Sequence, residues 1–148
     1  MNDMVAQLNK TAMRAMAAGD MTAAQSVLLE ALGHDKANVG LWLNLAIARR
    51  QLNDMDGAFD ALRETLVLDA RNFPALLMRA ALLDRLGQRV PAASAYGIAL
   101  AQAPADRYLD PPTRQAVERA RAVHGKYVEE LGRFIRDRAA ATKDNCSS

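Results

Sequence analysis

The chain is 148 residues long, room for one domain's worth of core and little more. Its 51% hydrophobic and 24% charged residues, with only 8 Gly and 5 Pro, exclude a disordered, collagenous or low-complexity chain, and 30 Ala and 19 Leu against 16 Val, Ile and Thr together favour helix over sheet. With 19 basic and 17 acidic side chains the formal charge is +2, which excludes a general attraction to nucleic acid or anionic membrane.

The first ten residues, Met-Asn-Asp-Met-Val-Ala-Gln-Leu-Asn-Lys, hold no basic stretch followed by an apolar one, and no uncharged apolar run is long enough for a membrane span. With a single Cys146 near the end, unable to form an intrachain disulfide, a cytoplasmic setting is the expectation. From residue 5 onward the chain repeats itself at an offset of 34 without insertion or deletion, in segments 5–38, 39–72 and 73–106. Ala12, Ala46 and Ala80 hold one small position and Ala24, Ala58 and Ala92 another, which allows close approach of helices. Gly19, Asn53 and Gly87 recur midway, each a residue type that accepts the left-handed conformation of a turn. Leu28, Leu62 and Tyr96, then Ala31, Thr65 and Ala99, then Leu32, Leu66 and Leu100, fall at helical spacings on one face of each second helix.

The pattern predicts six helices in three antiparallel pairs, over 4–17, 22–33, 39–52, 56–69, 73–86 and 90–103. Proline placement agrees, because a proline in a helix interior costs about 3 kcal/mol. Pro74 and Pro91 fall in first turns, Pro104 in a connection, and Pro111 with Pro112 ahead of a last helix. After Asp106 the repeat loses its phase. Val117, Ala120, Val123, Tyr127, Val128, Leu131, Phe134 and Ile135 form a single stripe, so a long amphipathic helix is expected over 113–138, which caps the array or else docks into the groove or onto a partner. Residues 139–148 read as a flexible tail or linker.

Period, turn positions and residue types together resemble the tetratricopeptide repeat (TPR), a helix-turn-helix unit of 34 residues. Trp42, Leu45, Ala46, Asn53, Ala58, Leu62 and Thr65 carry the resemblance best, joined by Ala80, Gly87, Ala92, Tyr96, Ala99 and Pro104; Thr11, Arg79 and Ala70 depart from the family's preferences. The resemblance implies an all-α fold, a helical-hairpin solenoid of three repeats over 5–106 plus the C-terminal helix. It also implies a concave groove, lined by first helices, that binds a protein or peptide partner. The groove residues expected to touch the partner are Met13 and Met16, then Leu43, Asn44, Ile47 and Arg50, then Leu77, Met78 and Arg85. The subclass that grips the carboxylate tails of heat-shock chaperones uses lysines, asparagines and an arginine at five positions. Asn9, Met13, Pro74 and Met78 stand at four of these here and only Asn44 matches, so no carboxylate clamp is expected. Segments 39–52 and 73–86 are apolar around their whole circumference, which predicts burial on every side.

No catalytic constellation, cofactor site or metal site emerges. His34 and His124 are ninety residues apart with no companion at ligand spacing, and no phosphate-binding glycine loop or nucleophile elbow is present. The expectation is a non-catalytic interaction module. Two alternatives remain. The stretch Arg71-Asn72-Phe73-Pro74-Ala75-Leu76-Leu77-Met78 with Leu86-Gly87, Ala95-Tyr96 and the Pro-Pro-led helix resembles the repeat region ahead of bacterial aspartyl/asparaginyl beta-hydroxylase domains, which implies a linked iron- and 2-oxoglutarate-dependent enzyme domain outside these residues. The second alternative is weak RNA binding through Arg114, Arg119, Arg121, Lys126, Arg133, Arg136 and Arg138. Interleaved Glu118, Glu129, Glu130 and Asp137 argue against nucleic acid and for a solvated helix face.

Overall fold

The computed structural model describes residues 2–147; Met1 and Ser148 lie outside the described residues. Among these, seven α-helices and one short 3-10 helix appear and no strand. They are α1 (Asp3–Ala17), α2 (Met21–His34), α3 (Val39–Gln51), α4 (Met55–Leu68), α5 (Phe73–Arg85), α6 (Arg89–Leu100), the 3-10 turn Asp106–Tyr108, and α7 (Pro111–Cys146). Two compact units divide the chain, one up to Ala75 and the other from Leu76 onward.

Side-chain caps start the first five helices. Asn2, Asp20, Asn38 and Asp54 accept hydrogen bonds from the amides of Met4, Ala23, Leu41 and Gly57 at 3.0–3.2 Å, and Asn72 does the same for Ala75. Such caps contribute about 1 kcal/mol each. Within each hairpin the chain turns at a residue of positive φ, Gly19 (80°), Asn53 (61°) or Gly87 (73°). Around each turn the same bond repeats at the 34-residue offset, from Asp20 N to Ala15 O, Asp54 N to Arg49 O, and Gln88 N to Leu83 O. Between hairpins an Asp and an Asn three residues later recur, Asp35 with Asn38 and Asp69 with Asn72. Each asparagine amide donates to the aspartate carboxylate while its own oxygen caps the next helix.

In the first unit α1 packs on α2 and α3 on α4, and the two hairpins join along α2 and α3. The repeated small residues lie at the seams: Ala12, Ala24, Ala46 and Ala58 are wholly buried, with Leu28, Leu41, Leu45 and Leu62 filling the space between them. Burying each leucine contributes roughly 2 kcal/mol. Thr65, polar where the other repeats hold alanine, satisfies its hydroxyl on the Ala61 carbonyl at 2.9 Å.

In the second unit α6 packs on α7, as α2 packs on α3 in the first, so α7 stands where the first helix of a further hairpin would. Val117 and Ala120 are buried in this seam, and the His124 ring donates from Nδ1 to the Ala93 carbonyl at 2.9 Å. Gly97 lies directly under that ring. The last helix differs from expectation at both ends. Pro111 and Pro112 are themselves its first turn, and it continues through residues 139–146, expected as a tail, because Ala139, Ala140 and Ala141 are strong helix formers. Gly125 and Gly132 do not break it.

Candidate functional site

The predicted partner-binding residues fall in both units. On the first unit, Asn9 from α1 and Asn44 from α3 meet side chain to side chain, Asn44 Nδ2 donating to Asn9 Oδ1 at 3.1 Å. This bond fixes the face shared by the two helices. Around it Met13 is 55% exposed, and Met16, Leu43, Asn44, Ile47 and Arg50 are each half-buried. Trp42, on α3, is half-buried too, its indole N–H held by the Lys36 carbonyl at 2.8 Å, a structural role. Beside the face, Arg49 donates from one guanidinium nitrogen to the Gly57 carbonyl at 3.1 Å, tying α3 to the start of α4.

On the second unit the expectation needs correcting. Leu77 and Met78 are only 8% and 9% exposed, so a ligand has almost no area of theirs to bury. The apolar circumference of α5 is the physical reason: Ala75, Leu76, Leu77, Met78, Ala80 and Leu82 are all buried, and between Ala75 and Leu82 only Arg79 is exposed. Arg85 is exposed at the end of α5.

What the second unit presents instead is a charged junction that sequence reasoning missed. The Tyr96 hydroxyl donates to Asp84 Oδ2 at 3.1 Å, and Arg119 reaches the same carboxylate from Nε at 3.1 Å and from a terminal nitrogen at 3.3 Å. One carboxylate thus ties α5, α6 and α7 together. Burial, with the Asp84 carboxylate second, pushes the Tyr96 hydroxyl up to about 12. Against this junction opens a cleft of about 360 Å3, lined by Asp84, Arg89, Ala93, Arg119, Ala122, Val123, Lys126 and Tyr127. Arg89 spans it to Glu130 at 2.9 Å.

Four of the basic residues of α7 are held by partners within the chain. Arg119 holds Asp84, Arg121 holds Asp106 at 2.8 Å, Arg133 holds Glu129 at 3.1 Å, and Arg114 donates to the carbonyls of Asp106 and Leu109. The hydrogen bond from Arg121 draws the Asp106 carboxyl below its usual range. Among the described residues no three His, Cys, Asp or Glu side chains gather as a metal site would require, and no helix is long and apolar enough to cross a membrane.

No family model and no curated protein matches the sequence. Solved structures do match. The Yersinia enterocolitica type III secretion chaperone SycD, in complex with a peptide of the translocator YopD, superposes with a TM-score of 0.74 at 18% identity, over 88% of this chain and 97% of that one. The first TPR of Spaghetti (RPAP3), bound to an HSP90 peptide, gives 0.71 at 17% identity over 86% and 96%. PcrH, in complex with the chaperone-binding region of PopB, gives 0.69 at 20% identity over 83% and 96%. The likeness is one of fold: the chain is all-α and built of TPR-like hairpin repeats. None of these structures supports the resemblance to the front of a hydroxylase.

Proposed function

We propose that the chain is a non-catalytic protein-interaction module, working in the cytoplasm, that holds a peptide or a partner helix against the face shared by α1 and α3. The observation that carries this reading is the Asn9–Asn44 bond, set among exposed Met13 and half-buried Leu43 and Ile47. Apolar area and amide groups stand in one place. The bond uses one group of each amide, which leaves Asn44 Oδ1 and Asn9 Nδ2 to pair with the backbone of a ligand. Met13 and Met16 suit an adaptable contact, and Arg50 offers a cation at its edge. The three matched structures each hold a peptide segment, which supports the same kind of ligand here.

The chemistry of the face narrows the ligand. Asn9, Met13, Pro74 and Met78 give no cluster of cations for a terminal carboxylate, so recognition falls to internal apolar side chains. At about 25 cal/mol per Å2, covering a few hundred Å2 of apolar surface is worth several kcal/mol before the ligand's ordering is subtracted, which predicts micromolar binding.

An array of amphipathic fifteen-residue peptides, probed with the wild-type chain and with Ile47→Asp, tests the proposal. The wild type should select a set of peptides with apolar residues at helical or alternate spacing, and Ile47→Asp should lose it through an unpaired carboxylate in the contact. Circular dichroism establishes that the variant is folded. A folded variant that retains the wild-type set would remove the α1–α3 face as the binding surface.

A further inference from the structure

The cleft of about 360 Å3 beside Asp84 is built by three helices of the second unit and shares no residue with the α1–α3 face. On α7 it is lined by Arg119, Ala122, Val123, Lys126 and Tyr127, spaced by three, one, three and one, which is a single helix face two turns long. From α6 come buried Ala93 and, at the first residue of the helix, Arg89. The floor between the charged groups is therefore apolar. A volume at the small end of the range for ligand pockets admits one side chain and not a helix.

Around that floor the donors have capacity left and the acceptors little. Asp84 already takes three hydrogen bonds, one from Tyr96 and two from Arg119. Arg119 spends Nε and one terminal nitrogen on them, so its other terminal nitrogen keeps both protons. Arg89 meets both Glu130 oxygens from one terminal nitrogen, which leaves Nε and the other. Lys126 is exposed and makes neither a hydrogen bond nor an ion pair among the described residues. Charge points the same way once every pair is counted. Arg89, Arg119 and Lys126 stand against Asp84 and Glu130, a net +1 whose surplus sits on Lys126. The neighbouring charges on α7 act elsewhere, Glu118 on Arg121 and Glu129 on Arg133.

We propose that this cleft binds a single carboxylate on an apolar stem, carried by a peptide. The stem lies on Ala93, Ala122 and Val123, and the carboxylate accepts charge-assisted hydrogen bonds from Lys126 and from the uncommitted terminal nitrogen of Arg119. One negative charge cancels the surplus, whereas the two of a phosphomonoester would overshoot it beside Asp84 and Glu130. A nucleic acid would bring its next phosphates against Glu129 and Glu130.

The probe is acetyl-Leu-Glu-Leu-amide, titrated at low salt into the isotope-labelled full chain and followed by nuclear magnetic resonance. Beside it run a glutamine copy, a phosphoserine copy and acetyl-Leu-Leu-Leu with a free terminal carboxylate. The backbone amide signals of Val123, Lys126 and Tyr127 should move and saturate with a dissociation constant of about 1 mM. The glutamine copy should bind about tenfold more weakly. Lys126→Gln should weaken the glutamate peptide by about tenfold and leave the glutamine copy unchanged. Ala122→Glu, at another exposed position, sets a carboxylate on the floor and should block the glutamate peptide, while Ile47→Asp should bind it as the wild type does. The unshifted remainder of each spectrum establishes that the variants are folded. Equal binding of the glutamate and glutamine peptides, or an unaffected Lys126→Gln, overturns the proposal. So does a phosphoserine copy that binds more tightly than the glutamate peptide, which assigns the cleft to phosphorylated partners. The free-ended peptide separates the two sources of a carboxylate: tighter binding than the glutamate peptide supports the proposal with a chain end as the ligand, weaker binding supports it with an acidic side chain.

Discussion

At position 96 the third repeat places a tyrosine where the first two place Leu28 and Leu62, and the buried hydroxyl has to be satisfied. Asp84 does so, and Arg119 in turn balances Asp84. The folded state holds the Tyr96 proton to about 12, while the unfolded chain releases it near 10. A pKa raised in the folded state gives stability that is complete below pH 10 and is lost as the pH climbs through 12. The loss is on the order of 2 kcal/mol. Denaturant titrations from pH 9 to 12 should show this decline in the wild type. Tyr96→Phe, less stable by about 1 kcal/mol at neutral pH for want of the hydrogen bond, should lack that part of the alkaline slope. Parallel alkaline limbs in the two proteins would mean that Tyr96 is not held protonated by the fold. The position itself was legible in the sequence, since 28, 62 and 96 are in phase. The cation that balances Asp84 was not, because Arg119 lies beyond Asp106, where the repeat loses its phase and no longer says what faces what.

Among the elements, the seam of α6 and α7 fits closely at Gly97. A Cβ built on Gly97 would stand 2.5 Å from the His124 ring, and its three nearest neighbours all belong to that ring. Gly97→Ala should therefore destabilise the chain by about 1–2 kcal/mol, the overpacking outweighing alanine's better helix propensity. In a His124→Ala background the same change should reverse sign and stabilise by about 1 kcal/mol. Thermal melts of the four proteins of this cycle decide the matter, and additive effects would show that ring and glycine do not touch. The helices themselves were readable: residues suited to a left-handed turn and prolines kept out of helix interiors mark their ends. What the stripe on α7 left open is how much of it is covered. Period fixes which residues share a face, whereas coverage depends on the length of the partner helix, and α6 stops at Arg89 while α7 goes on.

On the scale of the whole molecule, the 34-residue period dictates a string of similar hairpins, and within the first unit the repeated alanines are buried at the seams as that period requires. Function is not written at the same level. The positions that make a TPR-like hairpin are the buried ones, while those we propose for the ligand, Met13, Leu43, Asn44 and Ile47, vary freely between repeats. Phase could place them on one face, and the Asn9–Asn44 bond brings α1 and α3 together there. The all-round apolar character of segment 73–86 did predict that Leu77 and Met78 would be covered; what it could not foresee is that the chain's own residues do the covering.

The central claim is that this first-unit face receives the ligand, and nuclear magnetic resonance of isotope-labelled protein reads it directly. With one array-selected peptide titrated in, the side-chain amide signals of Asn9 and Asn44 and the methyl signals of Leu43 and Ile47 should shift together and saturate on one binding curve. Tight binding that moves the signals of α7 and leaves those four residues where they were would contradict the account.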